Sequence, residues 1–258
     1  MLKTILLHAP LHVTDPGKGS AAAALALAAR HRASATALLF DYNVHGQHYP
    51  AADAAETTLR ETASTAGVEL QTVTTHSHAQ GIHEVVADYA RLHDLVISGT
   101  DDRGILPERQ VSEYLLFESG RPVLLVPAGQ RRFEFARAAL AWDGSRAAAR
   151  ALGDALPLLV DAETVSVLHL GDDKDMNGCF SPEQVEEALR ARGLPARFHR
   201  AERGNRTIAT ALAEEAKGLG AGLLVMGAYT RSRLTERLLG GATRGTLDRP
   251  LLPTLLSH

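Results

Sequence analysis

The residues best placed to do chemistry lie between Leu223 and Thr243. Leu223-Leu-Val-Met-Gly227 reads as a buried strand ending in glycine, and a loop bearing Arg231, Arg233 and Arg237 follows. The pair Gly240-Gly241 then opens a helix near Ala242. Amides at a helix N-terminus seat phosphate oxygens, and glycine there removes the side chain that would hold a ligand off. The loop arginines can add charge-assisted bonds, although arginines on a loop are more often a solvated surface. An aspartate, Asp143, closes an earlier apolar run, Arg137-Ala-Ala-Leu-Ala-Trp-Asp143, and can accept hydrogen bonds from an amine or a sugar hydroxyl.

Other chemistry is sparser. Histidines gather as His8 and His12, His45 and His48, and His76 and His78 with His83 close behind. His76, His78 and His83 are the candidates for a metal such as zinc, since imidazole is a common ligand. No cysteine lies near them, and exposed histidines are common, so no metal is the stronger expectation. Gly17-Lys-Gly-Ser20 lacks the earlier glycine that a phosphate loop requires, because His12 stands there. No nucleophile elbow, Cys-His pairing, paired catalytic carboxylates or HExxH motif occurs. The expectation is a binder rather than an enzyme, turning ATP over slowly at most.

The elements that must position these residues come in two copies. Lys3 to Ala9 and Arg137 to Asp143 both read as short buried strands. Gly19-Ser-Ala-Ala-Ala-Ala24 and Gly144-Ser-Arg-Ala-Ala-Ala149 both read as helix starts with the serine as N-cap. Second strands fit 35–40 and 165–170, helices 51–66 and 181–192, third strands 69–74 and 196–200. Helices at 82–92 and 207–217 lead to fourth strands at 94–99 and 222–227, and each half closes on Pro-x-Leu-Leu at Pro122 and Pro253. Such alternation predicts right-handed βαβ units, hence an α/β fold of two tandem, doubly wound five-stranded parallel sheets. The boundary falls in the polar segment 127–132, giving domains 1–130 and 135–258. A single larger sheet would not require the same order of signals twice.

In open parallel sheets, ligands sit beyond the carboxyl ends of the strands where strand order reverses. That places Ala141, Trp142 and Asp143, His169, and Met226 and Gly227 around one crevice, with Tyr229, Thr230, Arg231, Gly240, Gly241, Ala242 and Thr243 supplied by the loop and helix that follow. The first half lacks the glycine pair. Its corresponding segment, from Gly99 to Pro122, is three residues shorter than that from Gly227 to Pro253, and it carries Asp101 and Asp102 where phosphates would arrive. One nucleotide-type site is expected, in the second half.

These segments resemble the universal stress protein family, whose signature is G-x2-G-x9-G followed by Ser or Thr. Gly227 and Gly240 match the outer glycines at the family's spacing, Thr230 stands where the second glycine is expected, and Gly241 stands at the hydroxyl position. Ala141-Trp-Asp-Gly-Ser145 and Asp154-Ala-Leu-Pro-Leu-Leu159 extend the resemblance over most of 135–258, and more weakly over the first half. The resemblance implies a pair of related sheets about a pseudo-two-fold axis and contact of Asp143, Gly227 and Gly240 with adenosine or phosphate. Some such proteins bind ATP and others do not. Thr243 can supply the hydroxyl that Gly241 lacks. The expected cofactor is ATP or another adenine nucleotide, with or without Mg, in a stress-response role. The alternatives are a nucleotide-free interaction or dimerisation module, and a small-molecule or metal-binding protein on the same fold.

Composition bounds these readings. The 258 residues carry a net charge of -3, which gives no electrostatic support for binding nucleic acid. Cys179 is the only cysteine, as fits a reducing compartment. No signal peptide or run of 18 apolar residues is evident, so a cytoplasmic protein without membrane partners is expected, either a monomer with pseudo-dimeric halves or a homodimer.

Overall fold

A computed structural model of the chain describes residues 1–9, 17–44, 47–48, 51–77, 81–100, 108–171, 181–228 and 241–258, the side chains of 41–44, 47–48, 51–54, 76–77 and 182 excepted. Two compact units form, Met1–Phe133 and Glu134–His258. Among the described residues, no helix is long and apolar enough to cross a membrane.

In the first unit the order is β1 (Thr4–His8), α1 (Gly19–His31), β2 (Ser34–Val44), β3 (Gln47–His48), α2 (Ala51–Thr65), β4 (Leu70–Ser77), α3 (Ile82–Ala90), β5 (Leu95–Ser98), α4 (Glu108–Glu118) and β6 (Val123–Leu125). Its parallel strands pair in the order β4-β2-β1-β5-β6. The short β3 turns back antiparallel on the end of β2. Sequence patterning gave no sign of it, since two residues are too few to show a period.

The second unit repeats the scheme with β7 (Arg137–Ala141), α5 (Arg146–Ala155), a 3-10 turn (Leu156–Leu159), β8 (Thr164–Leu170), α6 (Pro182–Arg190), β9 (Ala196–Ala201), α7 (Ile208–Gly218), β10 (Leu223–Gly227), α8 (Gly241–Asp248) and β11 (Thr254–Ser257). The pairing is again parallel, β9-β8-β7-β10-β11. Each unit is therefore the α/β architecture expected, five parallel strands whose order reverses between the first and the fourth.

The strands are near-continuous apolar runs because helices cover both faces. Ile5, Leu6 and Leu7 are all buried, as are Leu223, Leu224 and Val225. Helices end where expected at Gly67 and Gly193, whose φ values of 67° and 79° suit glycine.

One expectation fails. Ser145 does cap α5, accepting the Ala148 N–H at 3.1 Å, but Ser20 caps nothing. It lies inside α1, which has Lys18 at its N-cap and no side-chain cap bond. The Gly19 amide is taken instead by the Gln130 carbonyl at 2.8 Å, and Ser20 is left buried within the helix's first turn.

Candidate functional site

The carboxyl ends of β7, β8 and β10 converge where the strand order of the second unit reverses. At the end of β7 the ladder runs one residue further, with the Trp142 N–H donating to the Leu168 carbonyl at 2.8 Å. The Trp142 carbonyl then accepts from His169 Nδ1 at 3.0 Å. Because a carbonyl oxygen can only accept, that bond places a proton on Nδ1. His169 is buried, its ring tilted against Phe198 with centroids 6.3 Å apart. His169 thus ties two strand ends together.

Asp143 follows in a tight turn. Its Oδ1 accepts the Ser145 N–H at 3.0 Å, Gly144 has φ of 70°, and Ser145 starts α5. Only a residue without Cβ adopts that φ freely, so Asp-Gly-Ser is one unit of strand-to-helix geometry. The carboxylate is half-buried and fixed beside a helix N-terminus. A fixed carboxylate of this kind suits hydroxyl or amine donors from a ligand.

Gly227 ends β10. Its φ is not positive, so no turn demands glycine there. A Cβ would come within 2.5 Å of the Ala147 carbonyl carbon and 2.6 Å of the Ala148 nitrogen. The backbone of α5 lies directly on Gly227, and packing between helix and strand excludes a side chain.

Gly241 presents the opposite case. It is the first residue of α8 and exposed, and among the described residues nothing lies within 4 Å of where its Cβ would be. No contact among the described residues explains glycine at that position. Ala242 beside it is half-buried, while Met226 and Thr243 are buried, at 3% and 2% exposure. Tyr229, Thr230, Arg231, Arg233, Arg237 and Gly240 lie outside the described residues.

Sequence reasoning missed Arg200. Its guanidinium lies over Gly171, just past the end of β8, where a Gly171 side chain would collide with its Nε at 2.5 Å. Arg200 pairs with His169 in the β8/β9 register, so both project from the same face of the sheet. The glycine closing His169-Leu-Gly171 was the available signal, but its neighbour is on another strand.

The first unit is built differently at the same place. His8, at the end of β1, is buried with no partner for Nδ1 and stands 5.9 Å from the Phe40 ring. Burial, with a smaller contribution from His83, lowers its pKa to about 4. At Gly99 the space for a side chain is taken by the Glu108 carboxylate, reaching across from the first turn of α4. Glu108 is 2% exposed. Asp101 and Asp102 lie outside the described residues.

Of the metal candidates, His83 stacks on Tyr114 with ring centroids 5.5 Å apart. His78 and the side chain of His76 lie outside the described residues. Among the described residues, no three His, Cys, Asp or Glu side chains gather to hold a metal ion.

No family sequence model matches the chain, and no curated protein matches it in sequence. Solved structures share its fold. A universal stress protein from Archaeoglobus fulgidus DSM 4304 superposes with a TM-score of 0.72 at 16% identity, over 98% of this chain and 95% of its own. A functionally unknown protein from Pseudomonas aeruginosa PAO1 aligns with a TM-score of 0.59 at 18% identity, covering 99% of this chain and 92% of its own. A provisionally named universal stress protein from Pseudomonas aeruginosa UCBPP-PA14 gives 0.61 at 17% identity, with 99% and 93% covered. Identities this low establish a common fold and nothing finer.

Proposed function

We propose that this chain is a universal stress protein whose second unit binds one adenine nucleotide, ATP in the first instance, without committing it to catalysis. The observation that carries the reading is Gly241. A glycine opening a helix at the strand-order reversal, with no packing reason among the described residues, fits close approach of an external phosphate to backbone amides. Asp143 receives a ribose hydroxyl or an exocyclic amine, and the ends of β7 and β8 frame the base. Thr230 and Gly241 depart from the family pattern at the phosphate end and weaken the hold there, so the affinity is modest.

The reading is of a binding role that alters the protein's interactions when loaded. Titration with ATP tests the proposal, following the fluorescence of Trp142, the only tryptophan, with calorimetry for stoichiometry. One nucleotide per chain is expected. No saturable response up to millimolar ATP, in a protein that is folded by circular dichroism, sinks it.

A further inference from the structure

A second concave site lies in the second unit, in the groove between α7 and α8. The two helices touch where a Cβ on Gly245 would come within 2.8 Å of the Ala209 Cβ. Beside that crossing opens a cavity of about 330 Å³, floored by Leu224 and Thr254 and walled by Ala213, Glu214, Arg249 and Leu251, among others. Ligand pockets run from roughly 300 to 1,000 Å³, so this one suits a small molecule.

The chemistry of the lining narrows the class. The hydroxyls are engaged within the chain: Thr207 with Thr210 at 2.8 Å, Thr254 to the Leu252 carbonyl at 3.0 Å, and Thr246 to the Ala242 carbonyl at 2.9 Å. Glu214 is held by Arg206 at 3.1 Å, and the same guanidinium also bonds Glu215 at 3.0 Å. Arg249 is exposed, and among the described residues no carboxylate pairs with it. Arg249 is therefore the cation at the rim that a ligand can meet, above a floor to which Leu224 contributes and beside Leu251, whose side chain is partly exposed.

We infer that this groove binds a small amphipathic carboxylate, its tail between Ala209, Ala213 and Leu224 and its carboxylate on Arg249. The guanidinium forms a charge-assisted, bidentate pair with such a group. Nothing in the inference depends on the nucleotide reading.

Octanoate is the probe, with octanol as its uncharged counterpart. Calorimetry on the full chain should show one saturable site for octanoate below about 10 mM, with octanol at least tenfold weaker. Arg249→Gln should weaken octanoate about tenfold while leaving the ATP titration unaltered. Ala213→Phe should fill the cavity and abolish octanoate binding; should that variant not fold, Arg249→Glu supplies the second arm, through charge reversal at the exposed rim. Excess ATP should not displace octanoate. Absence of saturation, equal affinity for octanol, insensitivity to Arg249, or displacement by ATP each overturns the assignment, the last by placing octanoate at the strand ends.

Discussion

Asp143 spends one carboxylate oxygen on its own turn, accepting the Ser145 N–H, which holds the group in place before any ligand arrives. Asp143→Ala is expected to weaken ATP by about tenfold or more, the loss of a hydrogen bond to a charged acceptor, as read by calorimetry. Two glycines at strand ends and the one that opens α8 should respond differently to alanine. Gly227→Ala forces a Cβ into the α5 backbone and should cost about 1–3 kcal/mol in urea unfolding. Gly99→Ala meets only the movable tip of Glu108 and should cost less. Gly241→Ala should leave stability nearly unchanged and weaken ATP; equal stability losses at 227 and 241 would contradict this division. Asp143 was legible in the sequence because a carboxylate closing a buried strand is a local pattern. The reason for Gly227 was not, because Ala147 and Ala148 lie some 80 residues upstream.

Most of the elements were legible for the same local reason. Apolar runs bounded by glycine and proline marked the strands, and the repeated order of signals marked two copies, because βαβ patterning is written in short windows. Caps were legible only in part. Ser145 caps α5 as expected, and Ser181, for which no cap was expected, forms a full capping box with Gln184, whereas Ser20, in the same Gly-Ser-x-Ala-Ala-Ala context as Ser145, lies inside α1 with the Gly19 amide bonded to Gln130. That partner lies over a hundred residues away, outside the reach of any local pattern. Ser145→Ala and Ser181→Ala should each cost about 1 kcal/mol in thermal or urea unfolding. The loss at Ser145 should also weaken ATP, because the same turn carries Asp143; at Ser181 it should not.

At the scale of the whole molecule, stability should fall in acid through His8. Its pKa in the folded chain is about 4 against an ordinary 6.5, so the native state favours the neutral ring. The stability this represents is complete above pH 6.5 and is lost as pH falls from 6.5 towards 4, amounting to about 3 kcal/mol. His8→Leu should flatten urea midpoints between pH 7 and 4.5; an unchanged slope would assign the acid sensitivity elsewhere. Two units of one fold, with a nucleotide proposed in the second alone, predict a single ATP per chain. Gly99 and Gly227 stand at the same place in their sheets, each two residues beyond a strand position paired with the first strand. One faces a helix backbone, the other a carboxylate. The same letter thus stands in both halves for unrelated packing reasons. A motif search keyed to it counts copies of a fold and says little about how many of them still hold a ligand.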